Sequence, residues 1–195
     1  MLNIHSHKHF GKEVIHNISP KEWDLFSERY PQQRFSVGIH PWHVQQKYLE
    51  EELALLSDIV AHKQVFAVGE TGLDKHCGVS LDLQMQSLET HIELSERYTK
   101  PLILHCVAAY NELQLLKRKI QPAQRWILHG FRGNHILAQQ LLTDGFYFSI
   151  GWNFNIETIK MLPADKLYFE TDEADVSVEE VYVKAMTYRF QTCSK

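Results

Sequence analysis

The sequence predicts an α/β protein, a compact (β/α)8 TIM-type barrel with shortened units and a distorted or incomplete closure. Three observations predict it. Eight short runs rich in β-branched and aromatic residues alternate with helical patterns along 195 residues. Several of those runs are almost continuously apolar, as strands buried on both faces of a parallel sheet are. Histidines and carboxylates collect where the runs end, and in a parallel barrel those ends meet at one face.

The candidate strands, in order, are "LNIH" (2–5), "EVIHNI" (13–18), "RFSVGIH" (34–40), "VFAVGE" (65–70), "LILH" (102–105), "RWILH" (125–129), "FYFSI" (146–150) and "KLYFET" (166–171). The first helix follows Ser19, with Pro20 at its first position and Glu22 three residues on, a capping-box start. Leu49, Leu53, Leu56 and Val60 make one helical stripe, and Leu81, Met85, Leu88 and Ile92 a second. Leu113, Leu116 and Ile120 mark a third; Ile136, Leu137 and Leu141 mark a fourth, with Gly145 placed to end it. "SVEEVYVKAM" opens on a second capping box, Ser177 to Glu180, and its Val178, Val181 and Ala185 face inward. The link from Ser6 to Lys12 is too short for a crossover helix, hence the expected distortion. An open doubly wound sheet is the structural alternative. The length suits one domain, 1–195.

Composition excludes several classes. A net charge of −4 and a pI near 6.3 do not give the basic surface of a general duplex-DNA binder. Bound cations can still attract phosphate locally. Cys77, Cys106 and Cys193 show no paired spacing, which argues against a disulfide framework or a cysteine zinc site. No apolar run is long enough to span a membrane and the start lacks a signal-peptide core, so a cytoplasmic protein without a membrane partner is expected. Nothing indicates an obligate protein partner.

The 12 histidines are many for this length, and their positions carry the argument. The strand ends deliver His5, His7, Glu70, His105, His129 and Asp172 to one face, with His40 beside them. Alternation puts His5 and His7 on one side of an extended strand. Imidazole with carboxylate suits Zn, Mn, Fe or Ni better than Ca, and two such ions activate water and stabilise charge on attacking and leaving oxygens. One histidine after an apolar strand is more often a satisfied core or surface residue; four histidines and two carboxylates at strand ends are hard to obtain that way. His9, His16, His62, His76, His91 and His135 lack this placement and are expected at the surface or behind the site. Cys106 is expected to pack beside His105, not to act as a nucleophile, because adjacent strand residues face opposite ways.

At these residues the sequence resembles the TatD-like DNase family, metal-dependent hydrolases among the amidohydrolase-type barrels. The matching blocks are "HSH" (5–7), "VGIHPW" (37–42), "VGETGLD" (68–74), "PLILHC" (101–106), "LHGFRGN" (128–134), "GFYFSIGW" (145–152) and "PADKLYFETDEA" (163–174). The resemblance implies two divalent metal ions (Zn, Mn, Mg or similar). It implies that His5 and His7 hold one ion, His105 and His129 the other, and Glu70 bridges them. Asp172 completes the first set and takes a proton from the attacking water, so Asp172 and Glu70 are the catalytic carboxylates. His40 resembles a substrate-phosphate contact; Glu170 and Asp74 match positions near the site. Two departures concern the rim. Most members carry an arginine soon after the histidine of "PLILHC", where this chain has "HCVAAY"; the expectation is either a lost phosphate contact or Arg132 of "HGFRGN" in its place. After "ETD" the usual alanine–proline pair is replaced by "EADVSVEE", and a reduced substrate rim is expected.

The reading is therefore a divalent-metal-dependent deoxyribonuclease or phosphodiesterase using a metal-activated water, acting on nucleic-acid ends or a small phosphoester. An amide or ester hydrolase with the same metals is the alternative. A non-catalytic scaffold on the same fold is the reading from another class, and the intact ligand set opposes it.

Overall fold

A computed structural model describes residues 1–191, so Cys193 lies outside the described residues. Eight strands form a closed barrel in sequence order, every neighbouring pair parallel. They are β1 (Asn3–Ser6), β2 (Val14–Ile18), β3 (Arg34–Val37), β4 (Val65–Asp74), β5 (Leu102–Val107), β6 (Trp126–Leu128), β7 (Tyr147–Ile150) and β8 (Leu167–Phe169). The open-sheet alternative is excluded, because Asn3 of β1 pairs with Phe169 of β8. Beyond the strands the seam is held by Asp172 N–H donating to His5 O at 3.1 Å and His7 N–H to Asp172 O at 3.1 Å. The Asn3 side chain donates to Thr171 Oγ1 at 2.8 Å.

Seven helices follow: α1 (Trp23–Arg29), α2 (Leu49–Ile59), α3 (Leu81–Arg97), α4 (Tyr110–Ile120), α5 (His135–Thr143), α6 (Ile156–Met161) and α7 (Val178–Phe190). The expected irregularity sits between β1 and β2, where residues 7–13 return the chain without a helix. At ~3.3–3.6 Å per residue those seven residues reach well over 20 Å, enough to run back along a four-residue strand of ~13 Å. The barrel is thus closed and distorted, not incomplete.

Both capping boxes are present. The Glu22 carboxylate accepts Ser19 N–H at 2.8 Å and the Glu180 carboxylate accepts Ser177 N–H at 2.8 Å. Gly145, at φ +75°, follows α5 and donates to Leu142 O, as a helix-ending glycine does. One expectation fails, and two histidines expected at the surface or behind the site take a definite place. Ile136, assigned to the buried stripe of α5, is 59% exposed. His91 is fully buried on α3, not at the surface: its Nε2 accepts Ile39 N–H at 3.0 Å and its Nδ1 donates to Ser87 O at 2.7 Å. His16 is also buried, stacked on Phe10 with its Nδ1 3.0 Å from His9 O. Sequence inspection gave no sign of α6, which at six residues is too short for a helical period to register.

The main core lies between the strands and the helices, around Phe35, Leu102, Leu104, Phe146 and Phe148. A second cluster comes from the barrel strands themselves, Ile4, Ile15 and Ile127 with Phe66, Tyr147 and Tyr168. It plugs the barrel below the mouth. Strand alternation then sets the layer above it: two residues beyond Ile127, Tyr147 and Tyr168 stand His129, Ser149 and Glu170. The apolar floor and the polar mouth are consecutive layers of one packing scheme.

Candidate metal centre

Glu70 is the hub. It lies within β4, inside the register shift between Val68 and Thr71. Close backbone approach makes the shift possible. A Cβ on Gly38 would fall 2.6 Å from Gly69 Cα, and Gly69 itself sits at φ +123° against Ile103. Only glycine tolerates that conformation at low cost. The result turns the Glu70 side chain into the mouth, 3% exposed.

Five imidazoles converge on its two oxygens. Toward Oε1 come His129 Nε2 at 2.7 Å, His105 Nδ1 at 2.9 Å and His40 Nε2 at 3.2 Å. Toward Oε2 come His7 Nε2 at 3.3 Å and His5 Nε2 at 3.4 Å. Asp172 Oδ1 is 3.8 Å from both His5 Nε2 and His7 Nε2. All six residues singled out at strand ends are therefore brought together. Asp172 reaches the cluster from a left-handed backbone, φ +53°, which is uncommon for a residue with a side chain.

A second layer of carboxylates backs the ring on one side. Asp74 Oδ2 lies 3.3 Å from His105 Nε2, and it also accepts Trp42 Nε1–H at 2.5 Å. Nδ1–H donated to Glu70 accounts for the 2.9 Å contact; with an ion bound, Asp74 would instead hold the proton on Nε2 and free the Nδ1 lone pair. Glu170 Oε1 lies 3.4 Å from His129 Nδ1, close enough for attraction but not aligned as a hydrogen bond. It is held by Gly130 N–H at 2.7 Å. His40 differs from the others. Its Nδ1 accepts Trp42 N–H at 3.2 Å, so the neutral ring carries its proton on Nε2 and presents a donor, not a lone pair, to the centre.

Charge follows this geometry. Burial opposes ionising Glu70, but His129, His105 and His40 outweigh it and hold its pKa well below the carboxylate range. Burial also opposes charging His129, yet Glu70 and Glu170 raise its pKa well above the usual value. His7 is raised in the same way: desolvation is overcome by Glu70 and Asp172. His40 is lowered, chiefly by burial. Cys106, beside His105, is pushed up to about 12 by burial, which fits a packing role and no nucleophilic one.

The residues fit a divalent cation. His5 is completely buried, yet neither ring nitrogen has a hydrogen-bond partner. Buried polar atoms are rarely left so, and a cation held by the His5 and His7 lone pairs, Glu70 and Asp172 would satisfy its Nε2. One carboxylate cannot align with five rings, whereas ions between them can. His5, His7 and Glu70 form one compact donor group; His5, His129 and Asp172 form another. His40 is equally close to Glu70 and His105, but its proton argues against ligation.

The centre opens into a cleft of about 800 Å³ that reaches His40, Trp42 and Arg132. Arg132 stands on the wall, with no contact to Glu70. Trp42 was not singled out from the sequence; it is 58% exposed on the cleft rim with its indole anchored on Asp74. The only clue was its place in "GIHPW". His9 lies apart from the centre, its Nε2 3.1 Å from Ala174 O.

Fold and centre together define the class: a (β/α)8-barrel protein with a buried imidazole–carboxylate centre fit for divalent cations. The chain belongs to the TatD related DNase family, whose model matches residues 8–190. Among its relatives is an uncharacterized metal-dependent hydrolase of Bacillus subtilis, YabD, 32% identical over 146 residues, 70% of this chain and 57% of the relative. The 3'-5' ssDNA/RNA exonuclease TatD of Cronobacter turicensis is 28% identical over 178 residues, 86% of this chain and 67% of the relative. The crystal structure of YJJV, a TatD homolog of Escherichia coli, superposes with a TM-score of 0.80 at 21% identity, over 92% of this chain and 79% of that one. The chain spans less than two thirds of the length of the first curated relatives it matches, 56% to 60%. Among the described residues no helix is long and apolar enough to cross a membrane.

Proposed function

We propose that this chain is a divalent-metal-dependent phosphodiesterase that hydrolyses nucleic acid from its ends. The observation that carries the proposal is the convergence of five imidazoles on Glu70 at the barrel mouth, with His5 otherwise unsatisfied. Ions bound there supply a Lewis acid for the phosphoryl oxygens and lower the pKa of water.

The chain's own residues divide the remaining tasks. His5, His7 and Asp172 hold one ion, His105 and His129 a second, and Glu70 is shared. Asp74 orients the ring of His105 from behind, and the charge of Glu170 favours a positive centre beside His129. Asp172, one third exposed, has a carboxylate oxygen available to take a proton from the attacking water. His40 aims its Nε2 proton into the cleft and donates to a non-bridging phosphoryl oxygen. Arg132 provides a charged contact to the phosphate from the wall, and the name of the Cronobacter relative supports a nucleic-acid substrate. Cys77 and Cys106 are free thiols, which supports a reducing, cytoplasmic setting.

The test is hydrolysis of single-stranded oligonucleotides with Mg, Mn or Zn by wild type, His129→Ala and Asp172→Ala. The proposal expects losses of at least a hundredfold in both variants. Equal residual rates in all three proteins would mean a contaminating activity. Turnover of small amides or esters with no cleavage of oligonucleotides would transfer the same centre to amide or ester chemistry.

A further inference from the structure

The mouth has two arms of opposite character. Toward β2 and α1 the cleft is lined by Glu22 and Glu52. Lys21, the cation nearest them, is already paired with Glu52. Toward β7 and α7 the wall carries Arg132 and continues into a groove of about 380 Å³ lined by Arg132, Trp152, Phe154, Lys184 and Tyr188. A depression of about 200 Å³ lined by Arg132, Trp152 and Asp172 joins the groove to the centre.

The groove has the chemistry of a single-strand track. Lys184 and Tyr188 are four residues apart on α7 and so share a face. Lys184 Nζ lies 3.9 Å from the Trp152 ring centroid and donates to Trp152 O at 2.8 Å, which fixes the indole. Phe154 and Tyr188 pack edge to face at 6.1 Å. Among the described residues Lys75, Arg118 and Lys160 are paired with carboxylates, whereas Arg132 and Lys184 are not. The neck itself is acidic, lined by Glu170, Asp172 and Glu173 opposite Arg132, so the cationic ground lies on the Arg132 side and in the groove beyond. Cations beside a part-exposed indole are how proteins hold single-stranded nucleic acid without reading its sequence.

We propose that this groove binds the nucleotide next to the scissile one: Lys184 holds its phosphate and Trp152 stacks its base, with Arg132 at the junction between the groove and the centre. The proposal rests on the phosphodiesterase reading above and adds the direction in which the strand leaves the centre, toward α7.

The experiment is fluorescence anisotropy with the full chain, carrying the metal it is purified with, and a labelled phosphorothioate strand of ~10 thymidylates, a length within known single-strand footprints. A matching strand is abasic. Trp152→Ala is expected to weaken the thymidylate strand about tenfold and the abasic strand far less, since stacking contributes on that scale. Lys184→Gln is expected to weaken both strands and to reduce the slope of log Kd against log salt by ~0.7, one phosphate contact on a single strand. Lys184→Arg restores that slope, which repair of a packing defect would not do. Wild-type-like affinity and slope in both variants would overturn the track, as would equal losses on abasic and thymidylate strands from Trp152→Ala. If the wild type still cleaves oligonucleotides in that case, the proposed function survives. A wild type that neither binds nor cleaves any oligonucleotide overturns both.

Discussion

The two oxygens of Glu70 face neighbourhoods built on different terms. On the Oε1 side, His105 and His129 each have a carboxylate behind them, Asp74 at 3.3 Å and Glu170 at 3.4 Å. On the Oε2 side, His5 and His7 have none, and buried His5 has no hydrogen bond from either nitrogen. On the first side Asp74 holds His105 at Nε2, while Glu170 only attracts His129, whose Nδ1 has no hydrogen-bond partner. The second is held by the strand seam, through His5 O, His7 N–H and Asp172, and both ring nitrogens of His5 lack a hydrogen-bond partner. The difference teaches that one buried carboxylate can gather rings that other carboxylates back and rings that none backs.

Several changes would break or sharpen that contrast. Glu70→Ala removes the shared ligand, so metal content should fall on both sides and activity by at least a thousandfold, read by elemental analysis and turnover. His5→Ala and His129→Ala should each cost one side first. Titration with a divalent metal should show the His129 variant losing the tighter step and the His5 variant the weaker one. Asp74→Asn keeps the shape but weakens the hold on His105, and losses of backing groups of this kind cost about 10–100-fold in metal affinity. The Oε2 step should be spared, which calorimetry would resolve. The smallest effect lies outside the centre. Burial lowers the His91 pKa to about 4, against an ordinary 6.5. Its neutral form therefore stabilises the fold above pH 6.5, and that contribution, about 3 kcal/mol, is lost as pH falls from 6.5 toward 4. His91→Leu should flatten this part of the melting-temperature profile. It should also cost ~1–3 kcal/mol at neutral pH, where buried Ile39 N–H loses its acceptor.

The imidazoles on both sides of Glu70 were legible for one reason: each stands at or just past the end of an apolar run, and parallel strands bring such ends together. Strand periodicity also gave all eight strands and most helices. What backs the ligands was less legible. Asp74 and Glu170 stood in matching blocks, but their partners depend on how β4 shifts register and how Gly130 turns, which no period reports. His91 occupies a helix whose apolar stripe runs through Leu88 and Ile92. A histidine beside that stripe looks the same whether it faces solvent or caps a strand end. The seam was hidden because Asp172 adopts a left-handed backbone that nothing in "ETDEA" requires. The aromatic groove was hidden because Trp152 and Lys184 are 32 residues apart and meet only where α7 packs.

The most direct test of the account is metal stoichiometry by elemental analysis on the purified wild type, after saturation with Mn or Zn and removal of excess. The account predicts two equivalents per wild-type chain, about one in His5→Ala, and close to none in Glu70→Ala. A wild type that retains no divalent metal, or a Glu70→Ala variant that retains as much as the wild type, would contradict it.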